Sequence, residues 1–217
     1  MTVFKITMAT AMLAALAACG GGSTGEGGGG GGGGGASFND LVTEFESLAD
    51  GIGFVEGGEN DPADFADLPD SGTAEYNGVL ALVVGDQASL GTTEDDFEGD
   101  SVDSADALGE VALSVNFGAS TISGSATNFI DSFDQAVDGT LTMAEGTIEN
   151  VAGIGLFGGD VTGTLTNSDG ESFTTDDAGY LGNFSPDAGT AYGLVGGNLI
   201  TDVEGVDGFL GVFVAAD

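Results

Sequence analysis

From Thr73 onward the chain alternates apolar with polar or small residues at a period of two. The stretch EVALSVNFG (110–118) sets Val111, Leu113, Val115 and Phe117 on one face, and TISGSATNF (121–129) does the same with Ile122, Gly124 and Ala126. EYNGVLALVVG (75–85), GTLTMAEGTIENV (139–151), FGGDVTGTLT (157–166), AYGLVGGNLIT (191–201) and GFLGVFVAAD (208–217) continue the texture. Such runs, rich in Thr, Val, Ile and Phe, predict antiparallel strands. The pairs Asp138-Gly139, Glu145-Gly146, Asp169-Gly170 and Asp207-Gly208 predict the turns between them.

About eight strands in a stretch of this length predict a small closed barrel or a sandwich. Glycine weakens a strand unless the sheet bends sharply or backbones approach closely. Gly124, Gly163, Gly196, Gly197 and Gly211 all fall within predicted strands, and closing a small barrel demands that bending. The fold class predicted is therefore all-β, a small soluble antiparallel eight-stranded barrel over 73–217. Side chains are expected to fill such a barrel and leave no clustered pocket of carboxylates of the kind an enzyme would need.

Ahead of the strands the period changes. SFNDLVTEFESLADG (37–51) places Leu41, Phe45 and Leu48 at helical spacing, with Ser37 or Asn39 as cap and Gly51 as stop. A helix of about three turns is marginal alone and should pack on the main domain. DPADFADLPDSG (61–72) predicts a further turn, with Asp61 as cap and Pro62 at the first helical position. Residues 37–72 thus form a short helical and irregular segment.

The first 36 residues follow a third pattern. Residues 1–18 carry one charge at Lys5, an apolar stretch from Met8 to Ala18 and small residues before the chain's single cysteine, Cys19. This reads as an export signal, too short to span a bilayer as a permanent helix. Leu16-Ala17-Ala18-Cys19 resembles the lipobox of bacterial lipoproteins. That resemblance implies cleavage before Cys19, a diacylglycerol on its thiol and an acylated amino terminus. A disulfide within the chain has no second thiol. Two or more acyl chains anchor stably where one does not. Gly20 follows the cysteine, where an Asp would suggest inner-membrane retention, so the outer membrane is the expected address. Residues 19–36, with nine consecutive glycines at Gly27–Gly35, read as a disordered tether with a reach of roughly 20–25 Å.

Charge narrows the functions. The chain holds 36 acidic residues, one basic residue and no histidine. Beyond Lys5 there is no cation to neutralise a phosphate, which excludes nucleic acid as a partner and sets the protein against anionic lipid headgroups. Nucleophilic catalysis lacks a His or Lys base, and its only Cys is expected to be acylated. The protein is read as no enzyme. Zinc sites of the Cys/His type are absent, and no cofactor is expected. Haem would find an axial ligand only at Tyr76, Tyr180, Tyr192 or a Met, and the three tyrosines read more simply as barrel wall or corner residues. TEDDFEGDSVDSAD (93–106) crowds Glu94, Asp95, Asp96, Glu98, Asp100, Asp103 and Asp106 into one loop. Its oxygen donors suit Ca²⁺, but the spacing is not that of an EF-hand, and a solvated loop is the reading adopted.

GTAEYNGVLALVVG (72–85), ALSVNFGASTISGSATNF (112–129), GGDVTGTLTNSDG (158–170) and GVDGFLGVFVAAD (205–217) resemble the C-terminal barrel of transferrin-binding protein B. GNFSPDAGTAYGLVGG (182–197) is similar to that family's Gly-x-Phe-x-Gly-Pro-x-Ala segment, with Ser185 in place of a glycine. The resemblance implies an eight-stranded soluble barrel on a surface or periplasm-facing lipoprotein. It also implies a protein or small-molecule ligand, with iron or haem acquisition as the associated role. The alternative is an acidic surface lipoprotein with a structural or protective role and no specific ligand.

Overall fold

The period-two stretches do become strands. The computed structural model describes residues 36–52, 62–86, 90 and 101–217. Its strands are β1 (Thr73–Gly85), β2 (Ala107–Asn116), β3 (Thr121–Asp131), β4 (Ala136–Val151), β5 (Ile154–Thr166), β6 (Ser172–Phe184), β7 (Thr190–Ile200) and β8 (Gly208–Ala216). Each pairs antiparallel with its neighbour in sequence, and β8 returns to β1, giving a closed eight-stranded barrel. Closure removes every sheet edge, so no strand is left as a template for aggregation. Cys19 and the glycine run lie outside the described residues, as do Asp61 and most of the acidic loop.

Two predicted turns are strand instead. Asp138-Gly139 and Glu145-Gly146 both lie inside β4, one strand of 16 residues. A side chain at Gly146 would collide with the carbonyl of Gly158 on β5, and the β4–β5 register shifts between Met143 and Thr147. The glycine there serves a close approach and a bulge, not a reversal. Asp169-Gly170 does sit in the β5–β6 turn, and Asp207-Gly208 leads into β8. The sequence reading also did not single out β6 as a strand.

Helix α1 (Phe38–Gly51) starts at Ser37, whose side chain accepts from the Asp40 N–H while the Asp40 carboxylate accepts from the Ser37 N–H. This reciprocal capping box satisfies two otherwise unpaired donors. The buried stripe is Phe38, Leu41, Val42, Phe45 and Ala49, and Leu48 is half-buried beside it. It packs on the outer face of the barrel over Val79, Ala81, Leu108, Val212 and Val214. That cover explains why β1 and β8 read as near-continuous apolar runs: both their faces are buried. Away from that cover many outward positions are exposed and polar, among them Glu110, Ser114, Thr140, Thr142, Glu149 and Thr162, while Leu181 and Leu194 form an exposed apolar pair. A membrane-spanning barrel carries an apolar band there. Among the described residues no helix is long and apolar enough to cross a membrane.

The segment before β1 has a different job from the turn predicted for it. Pro62 is not helical, and a single 3-10 turn covers Phe65–Asp67 after Asp64. The reason is pairing. The Ala63 N–H donates to Phe184 O (2.9 Å), Gly155 N–H to Ala63 O (3.2 Å) and Phe65 N–H to Gly153 O (2.7 Å). Ala63 is buried, and Phe65 and Leu68 pack against the barrel core. Gly155 leaves room for this: a Cβ there would lie 2.6 Å from the Leu68 side chain. The segment is a plug across one end of the barrel.

Candidate ligand cavity at the open end of the barrel

The two ends of the barrel are built differently. The plugged end holds β1's start and β6's finish, and beneath the plug lies an aromatic cluster. Phe157 sits 4.9 Å from Phe184, 6.2 Å from Phe213 and 6.4 Å from Tyr180, ring centre to ring centre. Tyr76 and Phe117 add contacts to Phe184 at 5.9 and 5.8 Å. All pairs are tilted, the arrangement aromatic quadrupoles favour.

The phenols in this core are tied to backbone. The Tyr76 hydroxyl donates to Ala188 O at 2.6 Å, fastening the β6–β7 turn to β1. The Tyr180 hydroxyl donates to Ala144 O at 2.8 Å, with Ile122 O at 3.2 Å. Both carbonyls lie at register shifts of β3 and β4, where the strand pairing is interrupted. A buried carbonyl needs a donor, and the phenol supplies it. Burial raises the pKa of each phenol to about 12, and nearby carboxylates add to the rise: Asp217 and Asp187 for Tyr76, Asp160 and Glu145 for Tyr180. Tyr192 instead lies on the outer face beneath α1.

A folded-state pKa above the unfolded value of about 10 means that the native state holds its proton longer. Stability from these phenols is therefore complete below about pH 10 and falls as pH rises towards about 12. Urea midpoints measured across that window should drop, and less steeply in Tyr180→Phe. Equal slopes in the two proteins would rule out a buried Tyr180 phenol.

At the opposite end, where β1, β3, β5 and β7 finish, nothing comparable to the plug is present among the described residues. Instead there is a cavity of about 440 Å³. Its wall includes Leu82, Val137, Leu141, Leu165, Phe173 and Phe209, and the β7–β8 loop adds Val203 and Val206. The volume falls within the ~300–1,000 Å³ typical of small-molecule sites, and so does the apolar lining. The expectation of a barrel filled throughout by side chains is thus wrong for this half. Phe129 and Phe209 are its only buried aromatic residues among those described, while the rings gather under the plug.

Polar groups stand at the rim. Asp106 accepts the Val84 N–H at 2.8 Å. Asp131 accepts the N–H groups of Phe133 and Gln135, each at 2.9 Å, and so shapes the β3–β4 turn. Glu171 accepts from the Asn167 side chain at 2.8 Å across the β5–β6 turn. Asp169 completes the set. Phe133, on the β3–β4 turn, borders the cavity with 80% of its surface exposed. Of the acidic-loop residues, Asp106 is the one whose side chain is described, and it belongs to this rim. Among the described residues no group of His, Cys, Asp and Glu is arranged to hold a metal ion. Leu82, Leu141, Leu165 and Phe209 fall in stretches read as strands, whereas Val137 and Phe173 do not, and nothing in their spacing marked a cavity.

Among the described residues, fold and site define a closed eight-stranded meander barrel, plugged at one end and open to a cavity at the other. Among solved structures the chain is similar to transferrin binding protein B (TbpB) from Haemophilus parasuis Hp5. A single mutant of that protein matches at 20% identity with a TM-score of 0.43, over 72% of this chain and 28% of that one. A double mutant matches at 21% and 0.42, over 72% and 27%. Intact Ap-TbpB, with its N and C lobes, matches at 17% and 0.41, over 72% and 28%. The chain thus spans under a third of the length of the TbpB chains it resembles. No family model matches it, and no curated protein does so at a significant level.

Proposed function

We propose that the chain is a lipid-anchored cell-envelope protein whose barrel binds an apolar ligand through its open end. The ligand is either a small molecule or an apolar side chain of a partner protein. The observation that carries this reading is the cavity of about 440 Å³ at one end of a barrel whose other end is plugged. A barrel serving only as a spacer or shield has no need of that asymmetry, since a filled core is the more stable solution.

In this reading residues 1–18 are removed on export, Cys19 carries the lipid, 19–36 tether the folded part, and the outer membrane is the address. Binding is favoured over catalysis, because rim carboxylates such as Asp106 and Asp131 are engaged in holding backbone turns. A role in iron or haem uptake is not supported through Tyr76 or Tyr180, whose hydroxyls already donate to backbone carbonyls, of Ala188 in the β6–β7 turn and Ala144 in β4.

The test is a titration of the full chain with Nile red, an uncharged apolar dye. One dye per chain should bind with a blue-shifted emission. Val206→Trp, in the half-buried β7–β8 loop lining the cavity, should weaken binding about tenfold or more with the β-sheet circular dichroism unchanged. Absence of binding to the folded chain would favour the structural, ligand-free alternative.

A further inference from the structure

The cavity sets where a ligand goes, and its rim sets which head group that ligand carries. Asp106, Asp131, Asp169 and Glu171 border the opening, and beyond Lys5 the sequence has no Lys, Arg or His to offset them. An anionic head group held at that rim would stand among uncompensated carboxylates. A positive one would be attracted, and the exposed face of Phe133 offers it a cation–π contact as well.

We infer that the occupant is a cationic amphiphile, with its single apolar tail in the cavity and its positive head at the acidic rim. This rests on the proposed binding function and names the ligand class for that same cavity. The carboxylates do not constitute the site. The apolar wall supplies the binding, and the rim selects among tails by the charge they bear. A fatty acid, with the same tail and a negative head, is the ligand this site refuses.

Titration calorimetry of the full chain with three probes of matched tail, each below its micelle concentration, tests the inference. The probes are dodecyltrimethylammonium, an uncharged dodecyl glycol ether and dodecanoate. In about 10 mM salt, where the screening length is about 30 Å, the cation should bind about tenfold more tightly than the ether and dodecanoate most weakly. In about 1 M salt, with screening at about 3 Å, the three should converge.

Because a cation is also drawn to the acidic surface at large, two double variants decide the origin of the preference. Asp169→Asn with Glu171→Gln alters the rim. Asp67→Asn with Asp70→Asn removes the same charge from exposed positions beside the plug. The rim variant should lose several-fold of the cation preference and keep its affinity for the ether, while the plug-side variant keeps both. Equal losses in the two, or no loss in the rim variant, would overturn the head-group assignment and leave tail binding standing. Failure of all three probes to bind the folded chain would instead overturn the binding function itself.

Discussion

Replacing Phe157 by Ala should lower the free energy of unfolding by about 3–5 kcal/mol, the cost of emptying a large aromatic site in a packed core. Phe157 is 1% exposed and touches three other rings, from β6 and β8, beneath the plug. No neighbour collapses easily into the space left, because Phe184 and Tyr180 are fixed in paired strands and the Tyr180 hydroxyl is held by Ala144. Phe133→Ala, at the open end, is the control: that ring is 80% exposed, and its loss should change stability by less than about 0.5 kcal/mol. Urea denaturation of both variants reads the difference. Similar values would mean that the plugged half is not the stabilising half.

The second large effect concerns attachment. Under the proposed anchoring, Cys19→Ala should abolish incorporation of radiolabelled palmitate in the producing bacterium. It should also move the protein from the detergent phase to the aqueous phase in a Triton X-114 partition. The change is all-or-none because no other thiol exists in the chain, and the described residues offer no apolar helix able to cross a bilayer. Retention of label in the variant would place the acyl chain elsewhere and remove the lipobox reading.

How far the sequence spoke for the fold varied from strand to strand, for identifiable reasons. Val111, Leu113 and Val115 alternate without interruption, and β2 appears as read. In β4 the Asp-Gly and Glu-Gly pairs imitate turns, yet they sit in a strand whose glycines let β5 approach. β6 went unnoticed because its inward face is partly Ala178 and Gly182, and its register shifts between Asp176 and Gly179, so the period of two is broken. The helix was legible through Leu41 and Phe45, while Phe38, Val42 and Ala49 join its buried face because the curved barrel wall accepts a wide stripe.

The site was the least legible part. Ala63, Phe65 and Leu68 looked like residues of a short helical turn, and only their pairing with β5 and β6 reveals a plug. A cavity is a property of where rings do not go, and local patterning carries no trace of that. The acidic composition had a visible meaning for partners it excludes, but which carboxylates would ring an opening depended on the closure of the barrel. Leu181 and Leu194, paired across β6 and β7 on the outer face and about half exposed, are a further apolar feature that alternation alone would have assigned to the interior.

The most direct test of a ligand site at the open end is methyl NMR of the full chain, titrated with uncharged n-decanol. The resonances of Leu82, Val137, Leu141 and Leu165 should shift together in one saturable phase, with those of Leu113, Val115 and Ile122 at the plugged end unmoved. Shifts confined to Leu181 and Leu194, or spread evenly over both ends, would contradict it.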